Sequence, residues 1–241
     1  MSPKARFWLL TLGALTGVAL TLSLGRWQLS RAAEKQALQA AIEARRRLPA
    51  LDGQALSAAD PLAALVHRQI RLRGRWLSPH TVFLDNRQMH GRPGFFVLTP
   101  LQLEGSATVV LVQRGWVPRN FVDRSALPQI ATPQGLVAIE GRIAPPPSKL
   151  YEFRGAEGGA IRQNLDLAEF SAETRLPLLG LSVLQTGAPG DGLQREWPEA
   201  GSGVEKHYGY AFQWLGLSSL IAILYVWFQF IAPRRRQARR S

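Results

Sequence analysis

The chain has 241 residues, no cysteine and a formal net charge of +12. The lack of cysteine excludes disulfides, thiolate metal sites and the C-x-x-C-H sequence that attaches haem covalently. Seven of the 29 basic residues lie in two short tails without acids, residues 1–6 and 233–241, and the 22 basic and 17 acidic residues between them give an ordinary surface rather than a nucleic-acid-binding one.

The first predicted element is a transmembrane helix over residues 7–24, an uncharged apolar run that follows Lys4 and Arg6. A membrane helix needs about 20 apolar residues, so this run is a slightly short span. The alternative is a cleaved signal peptide, because Ser23 and Gly25 have cleavage-like spacing. Cleavage would leave the compartment of the following domain unchanged.

The next element is a helical extension over residues 25–48. From Arg26 to Leu48 the chain is rich in Ala, Leu, Gln, Glu and Arg and contains neither Gly nor Pro. These residues favour a continuous helix. Pro49 and the pair Asp52-Gly53 predict its end.

Residues 49–187 predict a β-rich domain with short strands separated by turn-forming sequences such as Asp85-Asn86. Apolar residues alternate with arginines from Ile70 to Trp76, which is the period of a strand with one wet face. A helical turn or two is expected near residues 165–174. The predicted fold class is therefore a membrane α+β protein, with two transmembrane helices flanking an antiparallel sandwich or partly closed barrel. The other strand candidates are residues 81–84, 95–103, 108–113, 137–143 and 181–185.

The C-terminal part of the chain predicts a linker over residues 188–207, a second span over residues 208–232 and the basic tail. The linker contains several glycines and prolines, and the second span is uncharged and long enough to cross a bilayer. Lys and Arg accumulate on the cytoplasmic side of membrane proteins. Both termini are therefore expected in the cytoplasm, with the β-rich domain outside it.

Small residues predict that the two spans pack against each other. Gly13-x-x-x-Gly17 forms a flat strip on the first span, and the second offers Gly216, Ser219 and Ala222. The alternative is that glycine is simply frequent in membrane helices. Aromatic residues at the ends of both spans are expected at the membrane–water interface.

The outer end of the second span carries the candidate site. His207, Tyr210, Ala211 and Trp214 have the spacing of one helix face. A neutral imidazole at this position is able to ligate a haem iron between flanking aromatic rings. The alternative for His207 is an interfacial residue with its polar tip among the headgroups. Gln213 lies deeper and is expected to need a hydrogen-bond partner.

Catalytic motifs are missing from the sequence. It has no G-x-S-x-G, no H-E-x-x-H and no phosphate-binding glycine loop. We interpret Asp85-Asn86-Arg87 and Arg114-Gly115-Trp116 as turns or strand ends. His67, His80 and His90 have no metal-ligand spacing and are expected to be surface or hydrogen-bonded residues.

Several short motifs occur in an order that resembles the surfeit locus protein 1 family, the assembly factors of cytochrome c oxidase. They extend over nearly the whole chain, from about Arg6 to about Trp227, and accompany the same two-span layout. The motifs are Gly25-Arg26-Trp27-Gln28-Leu29 with Arg31, Asp85-Asn86-Arg87, Gly94 through Leu101, Val112 through Pro118, and His207 through Trp214.

This resemblance implies a bacterial inner-membrane protein with a periplasmic domain and no enzymatic activity. It implies help in haem A insertion or in maturation of the haem-bearing oxidase subunit, with that subunit, haem A supply proteins and the lipid bilayer as partners and no nucleic acid. By the resemblance His207 is the candidate iron ligand for a transiently bound haem A, beside Tyr210 and Trp214. The alternative is a membrane-anchored scaffold or chaperone for oxidase subunits that does not bind haem, and a membrane-tethered enzyme is a third.

Overall fold

The structure, a computed structural model, describes residues 2–120, 127–150, 159–188, 191–198 and 203–238. The chain divides into two compact units: residues 1–41 with 199–241 form a helical unit, and residues 42–198 form a β-domain. The helices are α1 Pro3–Arg46, α2 Gly53–Ala58, α3 Leu167–Thr174, α4 Val204–Val226 and α5 Ala232–Ala238, with a π-helical turn Trp227–Ile231 joining α4 to α5. The strands are β1 Gln69–Trp76, β2 Val82–Met89, β3 Arg92–Leu103, β4 Val109–Pro118, β5 Leu136–Ala144, β6 Ile161–Arg162 and β7 Leu178–Gln185.

Two helical stretches, Pro3–Arg46 and Val204–Arg235, are long and apolar enough to cross a membrane. The first has 44 residues. At 1.5 Å per residue it is about 65 Å long, roughly twice the thickness of the hydrocarbon core. Its apolar half covers the predicted first span and its charged half covers most of the predicted helical extension, so the two form one uninterrupted helix.

The β-domain contains a seven-stranded sheet in the order β1-β5-β7-β4-β3-β2-β6, with an additional pairing between β1 and β3. That pairing closes β1, β5, β7, β4 and β3 into a ring, which confirms the expectation of a partly closed barrel. The sheet is antiparallel, as predicted, except at two strand pairs, because β4 pairs with β7 and β2 with β6 in parallel. The long connection that contains α3 carries the chain back across the sheet before β7, and this crossover makes parallel pairing possible.

The strand predictions are confirmed in position for six strands but are too short for β2 and β4. The predicted turn at Asp85-Asn86 is wrong: β2 continues through it with a bulge between Leu84 and Arg87. Asn86 has φ +59°, and a single left-handed residue allows the strand to bend without ending. The two-residue strand β6 was not predicted, because it is shorter than any periodic signal.

The core of the domain is aliphatic. Its main cluster lines the ring of strands and includes Ile70, Leu72, Leu101, Val112 and Val183, all almost fully buried. The arginines that alternate with Ile70 and Leu72 point to the wet face of β1, as their period predicts. The predicted helical turns exist as α3, whose N-terminus is capped by the Asp166 side chain.

The structure differs from the predicted linker 188–207 at two places. Residues 191–198 pack on the β-domain: Leu193 is 1% exposed, and Gln194 pairs with Trp116 of β4. The helix α4 begins at Val204, four residues before the predicted span, because Val204 is apolar and buried. Residues 189–190 and 199–202 of the linker and residues 239–241 of the basic tail lie outside the described residues.

Candidate functional site

Within the helical unit α1 and α4 pack as an antiparallel pair. The contact runs from Thr11 and Tyr225 at one end to Gln28 and His207 near the other. Residues three and four apart face the partner helix, as in coiled-coil packing. The buried and half-buried positions along this contact include Thr11, Ala14, Gly17, Thr21, Gly25, Gln28 and Ala32 on α1, and Val204, His207, Ala211, Trp214, Ser218, Ile221 and Tyr225 on α4.

Glycines allow this close approach, but they are not the predicted pair. A Cβ atom at Gly17 would contact Ile221 at 3.4 Å, and one at Gly25 would contact Leu215 at 3.1 Å. A Cβ at Gly13 would meet nothing within 4 Å. The predicted Gly13-x-x-x-Gly17 strip is therefore wrong in register, because the seam reaches Gly17 from the half-buried Ala14, three residues earlier, while Gly13 is exposed beside it.

A hydrogen bond between His207 and Gln28 joins the outer parts of the two helices. Nδ1 of His207 lies 2.7 Å from Oε1 of Gln28, and both side chains are half-buried. An amide oxygen is only an acceptor, so Nδ1 is the donor. A neutral imidazole has one N–H, and the unshared electron pair is then on Nε2. Among the described residues none bonds Nε2.

The other predicted site residues lie around His207 on α4. Trp214 is half-buried against α1, and its Cβ is 3.7 Å from where a Cβ of Gly25 would be. Tyr210 is 53% exposed, so it borders the seam rather than entering it. Gln213 is exposed and no hydrogen bond to a described residue is recorded for it, so its expected partner is not found there. His207, Tyr210 and Trp214 thus lie within two turns of one another, with Tyr210 on the open side.

Charged side chains of both signs lie at this end of the helix pair, including Glu34 on α1 and Glu205 in the first turn of α4. Arg31 is one turn and Lys35 two turns along α1 from Gln28, and Lys206 precedes His207. Nζ of Lys35 is 3.8 Å from a Cβ placed on Gly203, the N-cap of α4. Arg31 forms an ion pair with Glu34 at 2.7 Å and lies over the Trp27 ring at 5.8 Å. The charge of Arg31 is therefore compensated by Glu34, and the other cations of these turns are Lys35 and Lys206, which an anionic group of a ligand would approach.

A single imidazole, that of His207, suits a ligand whose metal already has most of its coordination positions filled. Among the described residues no three His, Cys, Asp or Glu side chains come together in a way that would hold a bare metal ion. A haem iron needs only one or two axial ligands from protein. The other three histidines do not join the site: His67, His80 and His90 belong to the β-domain, and His90 bonds Glu196 there.

Comparison with known proteins decides the family. The family model described as SURF1 family matches residues 15–219, which include most of both helices of the pair and the whole β-domain. The chain belongs to the SURF1 family. It is 27% identical over 217 residues to the SURF1-like protein of Rickettsia felis, covering 86% of this chain and 91% of that one.

Two eukaryotic proteins match shorter stretches of this SURF1-family chain. The cytochrome oxidase assembly protein SHY1 of Saccharomyces cerevisiae is 27% identical over 117 residues, 48% of this chain and 30% of the yeast protein. The surfeit locus protein 1 of Arabidopsis thaliana is 31% identical over 120 residues, 44% of this chain and 33% of the plant protein. The family expected from the order of the motifs is thereby confirmed.

The SURF1-family motifs in the β-domain have structural roles. Arg114 is 1% exposed, and its guanidinium bonds Thr132 at 2.7 Å, the Ala131 carbonyl at 2.7 Å and Asp191 at 3.1 Å. Burial lowers the pKa of Arg114, while the hydrogen bond and charge of Asp191 raise it. Asp191 also binds Arg195 through both oxygens at 2.7 Å. The prediction that Arg114-Gly115-Trp116 ends a strand is wrong, because all three residues lie inside β4.

A second buried contact connects two motifs of the domain. Nε1 of Trp116 donates to the Arg87 carbonyl at 2.8 Å, and both residues are almost fully buried. Nη2 of Arg87 donates to the Gln163 carbonyl at 2.9 Å, and burial lowers the pKa of Arg87. The first of these hydrogen bonds joins β2 to β4, and the second joins β2 to the segment around β6.

An open groove of about 700 Å³ on the β-domain is lined by polar residues of α2, β1 and the turn after β3. Its two arginines are paired: Arg71 with Glu140 at 3.0 Å and Arg73 with Glu104 at 3.2 Å. The groove therefore offers little uncompensated charge, and the helix pair remains the candidate site.

The sequence patterns assigned no role to Gln28, although it lies in the motif Gly25-Arg26-Trp27-Gln28-Leu29. A signal existed, because Gln28 follows Gly17, Thr21 and Gly25 at helical spacing and is the only amide in that series. The Arg114–Asp191 pair was also missed. No spacing rule connects two residues that are 77 positions apart.

Proposed function

We propose that this protein assists the assembly of cytochrome c oxidase in a bacterial inner membrane by holding haem A at the outer end of α4, with His207 as an iron ligand. The observation that supports the proposal best is the Gln28–His207 hydrogen bond. It brings together the motif after the first span and the motif that opens the second, and it leaves Nε2 of His207 with an electron pair.

The surroundings of His207 suit an amphipathic, dianionic tetrapyrrole. Haem supplies the iron and four ring nitrogens and takes an axial imidazole from protein. Tyr208 and Tyr210 are 45% and 53% exposed and offer aromatic surface beside the imidazole. Lys35 and Lys206 lie near His207, where they would favour carboxylate side chains of the ligand electrostatically.

The proposed partners follow from the family and from the membrane layout. A yeast relative is named a cytochrome oxidase assembly protein, so we propose the haem-bearing oxidase subunit as recipient and the proteins that supply haem A as donors. The basic ends of the chain place both termini in the cytoplasm and the β-domain in the periplasm under this proposal. The role is binding, holding and release, and needs no enzymatic step.

The test is the absorption spectrum of the protein purified in mild detergent from cells that produce haem A. We expect a haem chromophore in the wild-type protein and its loss in His207→Ala. His90→Ala is the matched control, because His90 is also hydrogen-bonded through a ring nitrogen but is exposed and belongs to the β-domain. Colourless wild-type protein, or colour that persists in His207→Ala, contradicts the ligand assignment.

The same preparation tests the scaffold alternative. If the protein is colourless and oxidase subunits nevertheless co-purify, the assembly role stands without direct haem binding. If chromophore and subunits are both present in wild type and only the chromophore is lost in His207→Ala, the haem proposal is supported and the subunit contact lies elsewhere on the chain.

A further inference from the structure

The hydrogen bond that joins Gln28 to His207 does more than hold two helices together. Because Oε1 of Gln28 only accepts, the contact of 2.7 Å requires a proton on Nδ1 of His207. The neutral imidazole then has its electron pair on Nε2. A metal binds the unprotonated nitrogen, so the partner of one ring nitrogen decides whether the other is available.

The helix pair holds Gln28 in place. Three residues before Gln28, Gly25 lies against α4, and a Cβ placed on it would be 3.1 Å from Cδ2 of Leu215. Four residues after Gln28, Ala32 is fully buried. The Gln28 side chain therefore lies between two positions where α1 is closely packed. Farther out, the Tyr208 hydroxyl donates to Oε1 of Gln36 at 3.1 Å, so a second glutamine of α1 bonds α4 without touching His207.

We propose that Gln28 is a positioning residue that keeps His207 in the tautomer with the proton on Nδ1 and thereby presents Nε2 as the ligand atom. The identity of the ligand rests on the proposed function, whereas the tautomer is a property of the ligand-free protein. Removal of the outer hydrogen-bond partner of a metal-binding histidine typically weakens metal affinity by 10–100-fold. Gln28 stands in that relation to His207.

The first test is ¹⁵N NMR of the ligand-free, histidine-labelled full chain in nanodiscs, at a pH where imidazoles are neutral. The chain has only four histidines, and the signals missing in His207→Ala identify those of His207. Protonated and unprotonated ring nitrogens have well-separated shifts. We expect protonated Nδ1 in wild type and in Gln28→Glu, which keeps an acceptor oxygen, and protonated Nε2 in Gln28→Leu, which has none.

The matched control is Gln36→Leu, which removes the other glutamine hydrogen bond between the same helices. We expect its His207 to keep the wild-type tautomer. Protonated Nε2 in the wild type, or an unchanged tautomer in Gln28→Leu, overturns the proposal. A change of tautomer in Gln36→Leu as well also overturns it, because the cause would then be loosening of the helix pair. If Gln28→Leu does not fold, the wild-type spectrum still decides, because protonated Nε2 there overturns the proposal.

The second test is haem binding to the wild type and to Gln28→Leu, Gln28→Glu and Gln36→Leu. We expect Gln28→Leu to bind 10–100-fold more weakly than wild type, and Gln28→Glu and Gln36→Leu to stay close to it. Equal affinity in wild type and Gln28→Leu overturns a positioning role. If even the wild type binds no haem, the proposed ligand is wrong, and the NMR result alone decides whether Gln28 selects the tautomer.

Discussion

The β-domain and the helix pair use their polar motif residues in opposite ways. In the domain Arg114 is buried and binds Thr132, Ala131 and Asp191, and Trp116 Nε1 is bonded to a carbonyl. In the helix pair His207 is half-buried and uses one ring nitrogen for Gln28. Buried polar groups must be paired inside the fold, whereas a half-buried group keeps capacity for a ligand. Motif residues of the domain are therefore used in folding, whereas His207 of the helix pair keeps one ring nitrogen that no described residue bonds.

The largest expected effect breaks the buried pairing of the domain. Asp191→Ala leaves Arg114 and Arg195 buried without their carboxylate, and removal of one partner of a buried ion pair costs about 3–5 kcal/mol of the free energy of unfolding. Denaturant unfolding followed by tryptophan fluorescence measures it. Glu104→Ala is the control, since its pair with Arg73 is exposed and is worth about 0–1 kcal/mol. The His207 tautomer should be the same in both variants; a tautomer changed only by Asp191→Ala would contradict the division of roles.

A second prediction concerns closure of the barrel. Gly74 pairs with Leu103 of β3 and Val137 of β5, and a Cβ there would overlap the carbonyl oxygen of Gln102. We expect Gly74→Ala to lower the free energy of unfolding by about 1–3 kcal/mol, the usual cost of overpacking. Gly180→Ala, where a Cβ would meet nothing within 4 Å, should change it little. Equal stability of the two variants would show that the β1–β3 contact does not need glycine.

A third prediction acts on the helix pair alone. Gly25→Leu would push α1 away from Leu215 and should weaken the pair by about 1–3 kcal/mol, moving Gln28 from His207. The cysteine-free chain allows thiol cross-linking of Gly17→Cys with Ile221→Cys as the measurement.

We expect less cross-linking and loss of any haem chromophore in Gly25→Leu, and neither in the control Gly13→Leu, because Gly13 lies off the seam. Unfolding of the β-domain should be unchanged in both variants. Undiminished cross-linking in Gly25→Leu would mean that this glycine does not set the helix distance.

The smallest expected effect is a pH dependence confined to the domain. Burial, followed by the charges of Arg142, Arg45 and Arg46, lowers the pKa of His67 from 6.5. As pH falls through 6.5 the unfolded chain takes up a proton before the folded one, so stability is lost until the folded state is protonated as well. Cross-linking of the helix pair should not follow this change.

His67→Asn should remove this part of the pH dependence of denaturant unfolding. Asparagine tolerates the left-handed φ of +75° at this position, so the backbone is kept. If the free energy of unfolding changes equally with pH in wild type and variant between about pH 7.5 and 5.5, the assignment to His67 is contradicted.

Much of the architecture was predictable because it depends on local patterns. The apolar runs, the alternation from Ile70 to Trp76 and the helical composition after Arg26 each predicted the right element. The bulge at Asn86 and the parallel strand pairs were not predictable, since a turn-forming residue does not reveal whether the chain reverses, and pairing direction depends on the route of the intervening chain. In the candidate site, helix-face spacing and then the family resemblance pointed to His207, Tyr210 and Trp214 but not to Gln28 as the partner of His207.

By itself the sequence determined the helices long enough to cross a membrane, the β-rich domain between them and the family, because length, periodicity and motif order are properties of the linear chain. Only the tertiary structure decided that Gly17 and Gly25 rather than Gly13 face α4, that the ring of strands closes through β1 and β3, and that Gln28 bonds Nδ1 of His207. These contacts join residues far apart in sequence. Their choice among many sterically similar partners is made by close packing and by the need to pair buried polar groups.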